Sequence, residues 1–180
     1  MDVLIDHARP GDADAILALV AQVMEASVTR ETALAGDLLA NVAGNVDWWL
    51  AHPQEAVHLK AVAGERVVGM VLVKQFWNLA ALFVLPDRQR QGLGRQLVEA
   101  AAHRCRGSSP KCALWLNAAP AAVAFHERLG FTARVPTRPL PPGFRSMQRA
   151  PRLRPRERAA CRWARRRSRR SRTRSAAARR

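Results

Sequence analysis

The chain has 180 residues, 48% hydrophobic and 24% charged, a globular balance with enough length to bury a core without disulfides or metals. That length argues against a two-domain enzyme, and the formal net charge of +16 demands a location. Residues 1–148 hold 15 Lys and Arg against 13 Asp and Glu, whereas residues 149–180 hold 15 Arg, no Lys and one acid, Glu157. The expected organisation is a near-neutral folded domain over residues 1–150 and an Arg-rich tail over 151–180. Too few apolar residues and strong self-repulsion predict disorder for that tail. Three readings of it stay open: a solvated tail, an arm that binds nucleic acid nonspecifically through phosphate, or an unselected out-of-frame extension.

No basic start precedes an apolar stretch at the N-terminus, and uninterrupted apolar runs such as 15–21 fall far short of the roughly 20 residues of a membrane span. Cys105, Cys112 and Cys161 are odd in number, and their spacings suit neither zinc nor a redox pair. These features predict a reducing, cytoplasmic setting with no membrane partner and no metal, and Cys112 as inert packing.

In chain order, residues 3–8 predict a strand closed by Arg9-Pro10-Gly11, and Asp12 and Asp14 then mark a helix start. A first helix carries Ile16, Leu17, Leu19, Val20 and Val23. Over residues 31–52 the apolar positions recur at three- and four-residue steps, predicting one helix or a pair broken at Gly44. Strands over 57–63, 67–74 and 79–85 make an antiparallel meander, its first turn at Gly64-Glu65. A helix opens near Gly92 and ends by Gly107, residues 112–116 form a short strand, and 121–129 form a helix stopped by Gly130. Residues 131–135 and 144–150 supply the last strands. This order predicts an α/β (α+β) fold, a mixed and mostly antiparallel sheet flanked by helices.

The segment carrying chemistry is Leu82-Phe83-Val84-Leu85-Pro86-Asp87-Arg88-Gln89-Arg90-Gln91-Gly92-Leu93-Gly94-Arg95. An apolar strand runs into two glycines one residue apart at a helix start, which aims several backbone N–H groups at one spot and suits a phosphate. A Cβ at either glycine would hold a ligand off the backbone, and Arg90 and Arg95 add positive charge. The dinucleotide fingerprint and the nucleotide-hydrolase loop are both incomplete here.

Gln89-Arg90-Gln91-Gly92-Leu93-Gly94 after Val84-Leu85-Pro86 resembles the pyrophosphate loop of the GCN5-related N-acetyltransferase (GNAT) family. A second stretch, Ala122-Val123-Ala124-Phe125-His126-Glu127-Arg128-Leu129-Gly130-Phe131, is similar to the family's helix beside the thiol end of coenzyme A. The opening Ala8-Arg9-Pro10-Gly11-Asp12-Ala13 is also similar, so the resemblance spans about residues 1–150. It implies acetyl-CoA as donor, coenzyme A as product, and a sheet splayed between the strand ending near Leu85 and the strand at 112–116. By the same resemblance Leu82, Phe83 and Val84 offer pantetheine contacts, an N–H near Val84 stabilises the oxyanion, and Arg90, Gln91, Gly92, Leu93, Gly94 and Arg95 cradle the pyrophosphate.

The family places a tyrosine where this chain, which has no tyrosine, carries His126. A histidine near its ordinary pKa of about 6.5 is mostly neutral at pH 7.5, and its N–H still hydrogen-bonds sulfur. His126 is therefore the candidate catalytic residue. Asn117 is a candidate pantetheine contact or a strand-end cap. Trp115 stands where the family often has a glutamate, leaving His58, Asp47, His126 or ordered water as general base. Trp48, Trp49, Trp77 and Phe76 line an acceptor pocket or belong to the core. The implied activity is N-acetylation of a primary amine, on a small molecule or a peptide, by direct attack; a homodimer is compatible with the sequence. The competing reading is a catalytically inactive GNAT-fold protein that binds nucleic acid through its tail.

Overall fold

The computed structural model describes residues 2–27 and 32–150; the Arg-rich tail, with the disorder expected of it, lies outside the described residues. Two compact units follow one another, the first ending at Arg104 and the second beginning at Cys105. The first holds β1 (Leu4–His7), α1 (Ala13–Ser27), α2 (Thr32–Ala51), β2 (Ala56–Ala63), β3 (Arg66–Lys74), β4 (Asn78–Val84) and α3 (Leu93–Arg104). The second holds β5 (Leu114–Ala118), α4 (Val123–Arg128), β6 (Thr132–Ala133) and β7 (Arg145–Arg149). The expected α/β class, with mostly antiparallel strands flanked by helices, is what the chain adopts.

In the first unit β1, β2, β3 and β4 pair antiparallel in chain order. Ala63 pairs with Arg66, so Gly64-Glu65 is the two-residue turn the sequence predicts. Gly69 and Met70 are successive on β3 and so point to opposite faces. Gly69 faces Leu97 of α3, while Met70 pairs with Phe83, whose ring packs on Val20 and Met24 of α1 and Val42 of α2. Helices thus cover both faces, which explains why β3 is apolar almost throughout.

The close approach at Gly69 gives a test. A Cβ there would lie 3.1 Å from Leu97 Cδ1 and 3.3 Å from the Phe83 carbonyl oxygen. Gly69→Ala is expected to lower stability by about 1 kcal/mol in urea unfolding, because overpacking at a backbone oxygen outweighs the entropic gain.

Two expectations need correction. α2 runs through Gly44 without a break: the position is exposed and open, a helical glycine costs only about 1 kcal/mol, and burial of Val42, Val46 and Trp49 on one face overrides it. The strand expected over 112–116 starts two residues later, because Cys112 sits at φ +48° in a turn closed by its N–H on the Ser109 carbonyl at 3.1 Å. Cys112 itself is buried, 5% exposed, and Cys105 is a free buried thiol whose pKa burial pushes up to about 12.

In the second unit β7 pairs antiparallel with both β5 and β6. The strand expected over 131–135 is only two residues long, and Gly130 ends α4 at φ +82°. Among the described residues no helix is long and apolar enough to cross a membrane.

Candidate active site

Leaving β4, the chain is pinned by the Leu85 N–H on the Val68 carbonyl at 3.0 Å and turns through a 3-10 segment, Pro86–Arg88. Arg90 at φ +60° and Gly92 at φ +83° reverse the backbone, and α3 begins at Leu93. Gln96 donates to the Gly92 carbonyl at 3.0 Å, an i to i−4 helical bond, so the amides of Leu93, Gly94 and Arg95 precede the first helical donor. Amides so placed, with the helix dipole behind them, suit an anion.

Side chains brace this loop from beneath. Gln89 Nε2 donates to the Val84 carbonyl at 3.0 Å and Gln91 Nε2 to the Asp87 carbonyl at 2.8 Å, so both side-chain amides are engaged on carbonyls nearby in the chain. Leu93 is buried and anchors the helix start, leaving Arg90 and Arg95 as the exposed cations. Asp87 is flanked by Arg66 at 3.7 Å and Arg88 at 3.9 Å, which offsets its charge close to the start of α3.

β4 itself carries a feature the sequence did not disclose. Leu72 pairs with Ala81 and Val73 with Leu79, so Ala80 is an extra residue, a β-bulge of the kind that re-aims a strand beside a functional site. Only the doubled small residue Ala80-Ala81 in an otherwise bulky strand hints at it. With the Phe83 ring committed to the core, any contact it makes to a ligand is through backbone.

The second unit holds the other predicted residues. His126 on α4 is buried edge-on between the rings of Phe125 (5.1 Å) and Phe131 (5.3 Å), and its Nδ1 has no hydrogen-bond partner. Burial drives its pKa down to about 4, well below the ordinary value expected from sequence, so it is neutral at physiological pH. Asn117 lies inside β5 opposite Ser146, exposed and not at the strand end where a cap would sit.

A family model for an acetyltransferase (GNAT) domain matches residues 50–139, half of the chain. The chain belongs to the GNAT acetyltransferase family. No curated protein matches it. Among solved structures it is similar to the PaiA N-acetyltransferase of Thermoplasma acidophilum in complex with coenzyme A (12% identity, TM-score 0.67, 83% of this chain and 99% of that one). It is also similar to a GNAT protein of Rhodopseudomonas palustris (19%, 0.67, 83% and 96%). A third neighbour is YncA of Salmonella typhimurium with its cofactor acetyl-CoA (19%, 0.59, 86% and 96%).

In this GNAT protein the remaining candidates separate by burial. His58 on β2 is 2% exposed, two strands and about 10 Å from β4, against the edge of Trp49 at 4.3 Å. Burial lowers its pKa to about 4 despite the nearby Asp12 carboxylate, which raises it. Asp47 is exposed on α2. Trp49 is core, whereas Trp48 is half-buried, stacked on His52 at 4.8 Å and under Lys74 Nζ at 4.6 Å. Phe76 and Trp77 sit in the turn between β3 and β4.

Proposed function

We propose that the protein transfers the acetyl group of acetyl-CoA to a primary amine by direct attack. The observation that carries this reading is the cradle at the start of α3: amides of Leu93, Gly94 and Arg95 ahead of the first helical bond, an open Gly92, and exposed Arg90 and Arg95. That donor set fits a pyrophosphate. Acetyl-CoA supplies an acyl group activated as a thioester. The β4 backbone at Leu82, Phe83 and Val84 offers main-chain partners to the pantetheine arm, with Asn117 as a further contact. That two solved relatives carry coenzyme A or acetyl-CoA supports the choice of donor.

The amine nitrogen, having lost a proton, forms the N–C bond as the C–S bond breaks; the thiolate leaves with the electron pair and takes a proton, and one net proton goes to solvent. His126 acts as a neutral N–H donor to the departing sulfur. A pKa of about 4 removes the imidazolium, and a thiolate with a conjugate acid near pKa 8.5 is a good enough leaving group to need only a hydrogen bond.

Calorimetry with acetyl-CoA and thiol-release assays over an amine panel test the activity; absence of donor binding by the folded protein rejects it. His126→Ala is expected to lower kcat about 10- to 100-fold with little change in KM for acetyl-CoA. The wild-type kcat profile should show no inflection between pH 6 and 7 from this residue, and one that vanished in His126→Ala would refute its neutral role.

A further inference from the structure

Residues 105–150 carry seven Lys and Arg against a single acid, Glu127, and Glu127 already faces Arg145 at 3.9 Å. One of the seven is held unusually firmly. The guanidinium carbon of Arg134 lies 3.8 Å from the centre of the Trp115 ring, and Lys111 Nζ lies 5.3 Å from the same ring. Arg134 Nη1 donates to Ser146 Oγ at 2.8 Å, and the Arg134 backbone N–H donates to the Ser146 carbonyl at 2.9 Å. Ser146 is 4% exposed, so the latch is itself fixed.

Strand register places this group. Trp115 pairs with Gln148 and Asn117 with Ser146, so these four share one face of β5 and β7, while Leu116 and Met147 occupy the buried opposite face. Arg134 therefore presents its guanidinium beside Asn117. A guanidinium has five N–H donors, of which Ser146 takes one. Among the described residues Arg134 forms no ion pair. A half-buried cation held over an indole, with most of its fork unengaged, suits a planar anion that accepts two parallel hydrogen bonds.

We propose that Arg134, seated on Trp115 and latched by Ser146, recognises a carboxylate on the acceptor, so that the acceptor is a free amino acid. This rests on the N-acetyltransferase reading above, with the acceptor approaching the face that bears Asn117. Lys111 beside the same ring and the positive balance of this unit favour an anionic acceptor and oppose polyamines and lysine-rich peptides.

The test uses the full-length protein and pairs free L-amino acids with their carboxamides, adding dipeptides that end in the same residues to separate a free amino acid from a peptide terminus. Expected is a kcat/KM at least 10-fold higher for the acids than for the amides. Arg134→Gln should lower acid turnover 10- to 100-fold through KM, leaving the amides and the acetyl-CoA Kd within about twofold. Arg134→Lys, which keeps the charge and loses the fork, should restore only part of the preference and serves in place of Arg134→Gln if that variant does not fold. Amides acetylated as well as acids, a preference that survives in Arg134→Gln, or dipeptides outrunning free amino acids would each overturn the inference. So would failure of every acid as acceptor in a protein that binds acetyl-CoA, which leaves the donor reading standing. Failure of the wild type to bind acetyl-CoA instead removes the N-acetyltransferase reading beneath it.

Discussion

Replacing both Gly92 and Gly94 with glutamate in the full-length protein is expected to weaken acetyl-CoA binding at least 100-fold by calorimetry, with the fold retained. Space alone does not forbid the side chain at Gly92, where a Cβ meets nothing closer than Gln96 Nε2 at 4.0 Å. Its φ of +83° adds about 1–2 kcal/mol of backbone strain, which a stable domain absorbs. The loss of affinity is electrostatic. Carboxylates at the start of α3 interact favourably with its dipole and compete for the Leu93, Gly94 and Arg95 amides, so the cradle is filled before pyrophosphate arrives. Repulsion between two unit charges about 4 Å apart is about 4 kcal/mol at an effective dielectric of 20, already above the roughly 2.8 kcal/mol that a hundredfold change in Kd requires. Binding within threefold of wild type would place the pyrophosphate elsewhere.

The shape of this loop was legible in the sequence because it resides in residue types: a glycine where the chain reverses at φ +83°, with an apolar strand before it and an apolar helix face after it. The roles of Gln89 and Gln91 were not legible. Both spend their side chains on carbonyls of their own loop, an outcome that depends on the turn's geometry and leaves no trace in spacing. The bulge at Ala80 was hidden for a related reason, since register belongs to a pair of strands and not to either alone.

Where the reading failed, burial or tertiary context had overridden a local signal. Gly44 is a breaker by composition, yet the apolar face of α2 carries the helix across it. Trp48 and Trp49 are the same residue type about 100° apart on one helix, so one is half-buried and the other core only once α2 has docked. His126 matched a family position, but its ionisation followed from Phe125 and Phe131 closing around it, and they come from the helix and from the residue after its terminal glycine. The seat of Arg134 on Trp115 joins residues 19 apart through the pairing of β7 with both β5 and β6, beyond the reach of periodicity.

Acid should destabilise the first unit through His58, in a window set by its burial. The ring is 2% exposed, lies against the edge of Trp49, and has no hydrogen-bond partner at Nδ1 or Nε2. The charged groups nearest in the fold, Asp12 and Lys60, are bonded to each other at 2.6 Å, so the Asp12 carboxylate only partly offsets the desolvation of an imidazolium. With a folded pKa of about 4 against an ordinary 6.5, folded and unfolded chains are equally deprotonated above pH 6.5, and the stability there is complete. Below that pH the unfolded chain takes the proton and the folded one refuses it, so stability is lost as pH falls from 6.5 toward 4. The loss from His58 amounts to about 2.5 kcal/mol at pH 4.5. His126, with the same depressed value, acts in the same direction in the second unit. Asp12, held below the ordinary carboxylate value because the Lys60 and Arg9 hydrogen bonds and charges outweigh the upward pull of burial, contributes only at lower pH. His58→Phe keeps an aromatic ring against Trp49 and removes the titration. Urea unfolding at pH 7.5 and 4.5 should therefore show the variant losing about 2.5 kcal/mol less than wild type across that interval; parallel losses would mean that His58 is solvated or paired in the folded protein.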